Sequence, residues 1–234
     1  MIDTLIDLDK SLLQTLNNCH TPFWDNFFWM VTAIPTWIPF YLVILYVIVR
    51  NQPKGWWFTF IALGLMVTLS DQISNNLFKD MFERLRPSRD PSMAGLVQLV
   101  AGYTGGKYGF VSSHAANSFA LAMFGSLLFR HRLFAWSIFA WATLNSYSRI
   151  YLGVHFPGDI ICGALLGLLI GWLVYVGYRY VYPRFANGKN PTRQPGLLGE
   201  KIFPCKHMKL LAFSLAFGIS VLLIVAKVML KMQG

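Results

Sequence analysis

His155 and Asp159 stand four positions apart. On a helix that spacing sets a carboxylate one turn from an imidazole. The carboxylate can hold one ring N–H and leave the other nitrogen free to attack an electrophile. Pro157, between them, suits the first turn of a helix. His114 follows Ser112 and Ser113 and is suited to protonating a leaving oxygen. Lys79, Arg86 and Arg149 add cations: an Arg can grip an oxyanion through two parallel hydrogen bonds, and a Lys supplies a compact charge. Ser112 precedes an apolar run, where its hydroxyl and the free N–H groups of a helical first turn favour an anion. More than 70 residues separate the first of these groups from the last, so something other than chain proximity must bring them together.

Six apolar stretches do so. A bilayer core takes about 20 mostly apolar residues per helix. Asn26–Val49, Gly55–Phe78, Tyr108–Phe129, Leu133–Ser148, Ile160–Tyr178 and Leu210–Ala226 read as six transmembrane helices of an all-α bundle. Composition agrees, with 55% hydrophobic residues, 16% aromatics and 13% charged residues, about half the usual charged share. Such a chain is neither disordered nor equipped with the charges that cover a soluble globule. Cys19, Cys162 and Cys205 form no CxxC pair, which argues against a disulfide framework or a zinc site. The first twenty residues carry Asp3, Asp7 and Asp9 and are no signal peptide. Their leucines and isoleucines recur at helical spacing, so 1–30 reads as an interfacial segment with an amphipathic helix, anchored by Phe23, Trp24, Phe27, Phe28 and Trp29.

With six spans, both termini share a side with the loops Lys79–Lys107 and Arg149–Asp159. The opposite side holds Arg50–Lys54, Arg130–Arg132 and Arg179–Lys209. Eleven of the 20 Lys and Arg fall there against one acid, Glu200; nine bases and nine acids remain on the first side. The net charge of +10 therefore reports topology rather than nucleic-acid binding. It places the second side in the cytoplasm and the polar cluster outside, which in a bacterium is the periplasm. Ala186–Gly199 reads as a cytoplasmic loop, and Ser92–Ala101 as a short interfacial helix.

Lys79-Asp-Met-Phe-Glu-Arg-Leu-Arg86-Pro87, Val111-Ser112-Ser113-His114 and Ser148-Arg149-Ile-Tyr-Leu-Gly-Val-His155-Phe-Pro-Gly-Asp159 resemble the three signature motifs of the type 2 phosphatidic acid phosphatase (PAP2) superfamily. The first and third match in full. In the second, Val111 replaces a Pro and Ser113 a Gly. The resemblance centres on a motif region over 79–159 and extends through the six-span plan to a single membrane domain over 1–234. It implies that His155 forms a phosphohistidine, that Asp159 orients it, and that His114 protonates the leaving group. It also implies that Lys79, Arg86, Ser112, Ser113 and Arg149 hold the phosphoryl oxygens without a metal or other cofactor. The implied substrate is a lipid phosphate drawn from the bilayer: undecaprenyl pyrophosphate, a lipid A phosphate or phosphatidylglycerol phosphate. Ser113 suffices if a helix-start N–H is all its position must supply, and is worse than Gly if a positive φ is needed.

Other readings stay open at this stage. His114, His155 and Asp159 could form a two-His-one-carboxylate metal site, although nearby cations oppose a divalent ion. A transporter, or a non-catalytic phospholipid-binding protein of the same fold, is the main alternative. Asp71 reads as a structural hydrogen-bond partner, Arg84 and Arg89 as solvated loop charges, and His20, His131 and His207 as interfacial or loop residues. Gly163, Gly167 and Gly171, every four residues, suit close helix packing.

Overall fold

The computed structural model describes residues 2–186 and 203–233. Among these residues the chain is helical and has no strands. The helices are α1 (Ile2–Leu16), α2 (Pro22–Thr32), α3 (Ile38–Asn51), α4 (Trp56–Gln72), α5 (Lys79–Phe82), α6 (Ser113–Phe129), α7 (Arg132–Tyr151), α8 (Pro157–Ala186) and α9 (Cys205–Gln233). A π-helical turn, Ile73–Phe78, joins α4 to α5. Four segments are long and apolar enough to cross a membrane: Ile34–Asn51, Trp56–Phe82, Pro157–Arg184 and Cys205–Met232. Of the other two expected spans, α6 has only 17 residues and α7 is less apolar.

The first expected span, Asn26–Val49, is broken. Ala33 is extended, and the 3-10 turn Ile34–Trp37 separates α2 from α3. Pro35 has no N–H with which to continue α2. Side chains take over the freed carbonyls: Thr36 Oγ1 donates to Met30 O at 2.7 Å and Trp37 Nε1 to Val31 O at 2.8 Å. The third span starts at Ser113 rather than Tyr108, because Ser112 is extended and caps the helix by accepting from Ala115 N. Ser92–Ala101 is no helix: Pro91–Met93 and Val100–Gly102 are isolated 3-10 turns, with Ala101 at φ 50°. The loop expected over 186–199 lies outside the described residues, apart from Ala186 at the end of α8.

α6 is the central post, packed against α4, α7 and α8. Its contact with α8 needs glycine. A Cβ on Gly163 would stand 2.6 Å from Ser112 O, one on Gly171 2.5 Å from Ala120 O, and one on Gly167 would strike Ala116 O. One buried cluster (including Ala62, Met66, Phe124 and Ile170) joins α4, α6 and α8; another (including Phe27, Ile44, Trp141 and Leu211) joins α2, α3, α7 and α9. α1 leaves Leu5, Leu8 and Leu12 exposed and buries Leu13. Asn17, just beyond it, donates to Tyr151 O at 2.7 Å and so docks this end of the chain on the C-terminus of α7. Cys19, Cys162 and Cys205 are free.

Candidate active site

The site forms where α5, α6, α7 and α8 end or begin at one end of the bundle. α7 stops through Gly153, at φ 71°, whose missing side chain admits Val97 and Gln98 O. The chain then turns through His155 and re-enters as α8 at Pro157. His155 and Asp159 are buried, at 2% and 0% exposure. His155 Nδ1 stands 3.3 Å from Asp159 Oδ2, which also accepts from Phe156 N at 3.0 Å. Arg86 Nη1 lies 2.9 Å from His155 Nε2. A guanidinium can only donate. Nε2 must therefore present its lone pair, and the ring proton sits on Nδ1, facing the carboxylate. Burial pushes the His155 imidazole well below its ordinary range, and the charges of Arg86, Arg149 and Lys79 push it the same way. Both the geometry and the direction of the shift leave the ring neutral, with Nε2 unprotonated.

The cations converge on this ring. Arg86 is further held by Val154 O at 3.1 Å and Tyr108 O at 3.1 Å. Burial and the neighbouring charge of Arg149 lower it to about 10, so it stays charged at neutral pH. Arg149 donates to Thr32 Oγ1 at 2.8 Å and lies over the Tyr103 ring, while its buried Nε has no hydrogen-bond partner. Lys79 Nζ donates to Asn75 Oδ1 and, at 3.2 Å, to Ser113 Oγ. Among the described residues none of these three cations has a carboxylate within ion-pair distance. His114, in the first turn of α6, donates to the Thr32 carbonyl and lies within electrostatic reach of His155, Arg86 and Arg149. Ser112 N donates to Asp159 O at 3.0 Å, tying α6 to α8 behind the site. Ser113 is the first residue of α6 and needs no positive φ. Serine is thus unstrained where the motif has glycine, and its hydroxyl adds a contact to Lys79.

All eight residues singled out by the motifs gather at this end of the bundle. One further group was misjudged from the sequence and two escaped notice. Arg84, expected to be a solvated loop charge, is instead an ion-paired bridge, 3.0 Å from Asp159 Oδ1 and 2.7 Å from Asp9 Oδ2, with Phe156 under its guanidinium. Asp9 also accepts from Gly158 N at 2.7 Å, so α1 braces the first turn of α8. Asn75 links Asp71, at 2.8 Å, to Lys79 and Ser113. The π-helical turn carries this residue to the site, and Asp71 is the hydrogen-bond partner expected. Arg89 is exposed, as expected. His20 pairs with Asp25 and stacks on Tyr151, and His207 meets Asn51, all away from the site. Among the described residues no group of three His, Cys, Asp or Glu side chains could hold a metal ion.

Comparison with known proteins agrees with this geometry. The chain is 44% identical over 177 residues to the lipid A 4′-phosphatase of Bacteroides thetaiotaomicron, covering 75% of this chain and 79% of the relative. It is 36% identical over 192 residues to the lipid A 4′-phosphatase of Porphyromonas gingivalis, covering 82% and 81%. The crystal structure of Aquifex aeolicus LpxE superposes with a TM-score of 0.55 at 27% identity, over 70% of this chain and 92% of that one. The PAP2 superfamily model matches residues 58–183, a stretch that takes in the π-helical turn, Arg86, the cap at Ser112 and the His155–Asp159 turn. The chain belongs to the PAP2 superfamily.

Proposed function

We propose that this protein removes a phosphate monoester from lipid A, the 4′-phosphate, at the outer face of a bacterial inner membrane. The observation that carries the reading is the set of three cations, with no carboxylate partner among the described residues, around an imidazole whose Nε2 is unprotonated. Such a cradle lacks only an anion, and a phosphate dianion supplies it. The lipid A phosphatases among the relatives favour that substrate over a polyprenyl pyrophosphate.

The chemistry follows from the groups in place. The arriving phosphate draws the Arg86 guanidinium from His155 Nε2 onto its own oxygens, which frees the lone pair. Arg149, Lys79 and the N–H groups at the start of α6 share the remaining oxygens. Nε2 attacks phosphorus; the N–P bond forms as the P–O bond to the lipid breaks, and its electron pair leaves on the lipid oxygen. His114, protonated beside the dianion, donates its proton to that oxygen and releases the lipid as an alcohol. Asp159 stabilises the positive charge that develops on the ring. In the second half His114 takes a proton from water, the water oxygen attacks phosphorus, and the N–P bond breaks with its pair returning to Nε2. Inorganic phosphate leaves, and both histidines return to their starting states. Side chains supply all the charge this scheme needs, so no metal or cofactor enters.

We read α6 and α7 as spans alongside the four longer ones, giving a six-span single membrane domain with α1 lying in the interface. The concentration of Lys and Arg on the loops opposite the site supports a periplasmic active site. The polar cluster stands at one end of the bundle rather than along a route through it, which gives a transporter no support. The test is phosphate release from lipid A by the full chain in detergent with chelator present. Release that persists in chelator and disappears in His155→Ala is expected. Release that needs a divalent metal, or survives in His155→Ala, would overturn the reading.

A further inference from the structure

Asp71, Asn75 and Lys79 follow one another at intervals of four residues along the segment Trp56–Phe82. An α-helix carries every fourth residue about 40° further round its axis. The wider π-helical turn at Ile73–Phe78 slows that advance, and the three stay in line, each touching the next. Asn75 Nδ2 donates to Asp71 Oδ1 at 2.8 Å, while Asn75 Oδ1 accepts from Lys79 Nζ and, at 2.9 Å, from Ser113 Oγ. A carboxylate only accepts and an ammonium only donates, so the amide can stand only this way round. Ser113 Oγ in turn accepts from Lys79 Nζ at 3.2 Å and from Ser74 Oγ at 2.9 Å. Two of the three ammonium protons are thus held by neutral oxygens, and the third is left for an anion. Asn76 pairs with Gln72 at the same spacing on the exposed side, so the spacing itself is ordinary. What sets Asn75 apart is the cation it holds.

We infer that Asn75 is a positioning residue, which aims Lys79 at the phosphate while keeping the lysine charge uncompensated. A carboxylate at position 75 would hold the ammonium as firmly, but the ion pair would compete with the substrate's oxygens. An apolar residue would leave the charge intact and the flexible four-carbon stem without an anchor. An amide avoids both faults. It passes on the orientation set by Asp71 and withholds the carboxylate's charge. Ser113 is the second anchor, through a hydroxyl that a glycine at this position would lack. The serine that departs from the motif thereby gains a role: it closes the set of contacts that fixes Lys79.

This inference rests on the phosphatase reading for its kinetic test, and a binding measurement separates the two. The test moves the negative charge along the line without removing a hydrogen bond. Asp71→Asn combined with Asn75→Asp keeps the net charge and sets a carboxylate against Lys79. In the full-length protein in detergent, this swap should raise KM for lipid A about tenfold and change kcat less. The dissociation constant of inorganic phosphate, read from the rise in Tm at matched ionic strength, should grow by a similar factor. In Lys79→Met neither quantity should respond further to the swap, because Asn75 acts through Lys79. Ser113→Gly should raise both about fivefold, again only while Lys79 is present, and it carries the test if the swap fails to fold. A swap that binds phosphate and turns over lipid as the wild type does would overturn the inference and leave the phosphatase reading intact; Asn75 would then be a tie between helices. An effect that persists in Lys79→Met would overturn it too. A wild type that releases no phosphate from lipid A, yet binds inorganic phosphate more tightly than the swap does, would sink the phosphatase reading and support the role of Asn75. Neither binding nor release in the wild type would overturn both.

Discussion

The two ends of the bundle both bury polar side chains, and they treat them in opposite ways. At the end away from the site, Thr59 Oγ1 donates to Gln52 Oε1 at 2.6 Å, Gln52 Nε2 donates to Tyr178 OH at 3.1 Å, and Thr59 and Tyr178 meet at 2.9 Å. All three residues are buried and none is charged. The triangle closes on itself and joins α3, α4 and α8. At the other end, Arg86, Arg149 and Lys79 are collected with no carboxylate partner among the described residues, and an imidazole is kept neutral beside them. A membrane protein gains from the first arrangement as a tie between helices. The second costs stability, because buried cations are left without a counter-charge. Buried polarity alone does not separate site from scaffold; what separates them is whether the fold itself satisfies the groups.

The largest expected effect is at the open end. His155→Ala should lower phosphate release by about 10³-fold or more, since the proposed mechanism makes its imidazole the nucleophile. Arg149→Met should cost about 10²-fold in kcat, the scale for one oxyanion donor. Its Tm should hold or rise, because a buried cation without a counter-charge has been removed. A fall in Tm as large as that of a core truncation would erase the contrast between the two ends.

Arg84 sharpens the comparison because it sits at the open end yet is closed off, paired to Asp9 and Asp159. Arg84→Met should leave Asp159 free to shift and reduce kcat about tenfold with KM little changed, as a positioning residue does. Asp9→Asn should give a smaller loss in the same direction. If Arg84→Met lowered kcat as strongly as Arg149→Met, Arg84 would belong to the phosphate cradle and the closed-pair criterion would fail.

Which parts could be read without coordinates follows the same physics. His155, Asp159, Arg149, Lys79 and Arg86, which the fold brings to one end of the bundle, were visible because each motif ties residue type to short, fixed spacing within one segment. Arg84 and Asp9 were invisible because their pairing spans 75 residues and depends on where α1 docks. The end of α2 was half legible. Pro35 marks a break, but Ala33 is where it falls, because Thr36 and Trp37 can reach Met30 O and Val31 O. The start of α6 was misplaced because Tyr108–Val111 is apolar enough to read as membrane, while Ser112 holds an extended backbone.

At the closed end, Thr59→Val keeps shape and removes the hydroxyl that Gln52 Oε1 needs. A cost of about 1–2 kcal/mol in stability is expected, with kcat unchanged. Loss of activity without loss of stability would mean that the triangle is coupled to the site.

The smallest effect is a pH dependence that belongs to the open end alone. The folded His155 imidazole titrates well below its ordinary value, held there by burial and by Arg86, Arg149 and Lys79, with a hydrogen bond to the Gly109 backbone opposing them. In the unfolded chain it titrates near 6.5. Below that pH the unfolded state binds a proton that the folded state refuses, so stability falls as pH drops, and it is fully present above the unfolded value. Between pH 6.5 and 5.5 this single group should remove about 1 kcal/mol. His155→Gln keeps a buried polar side chain there but cannot titrate. The difference between wild type and His155→Gln in unfolding free energy, measured at both pH values, should therefore change by that amount. A difference that moved the other way, with the wild type gaining on His155→Gln as pH falls, would mean that His155 is protonated in the fold, that its Nε2 donates rather than accepts, and that the open end holds a cation where the proposed mechanism needs a nucleophile; no change would mean that the fold leaves the imidazole unshifted.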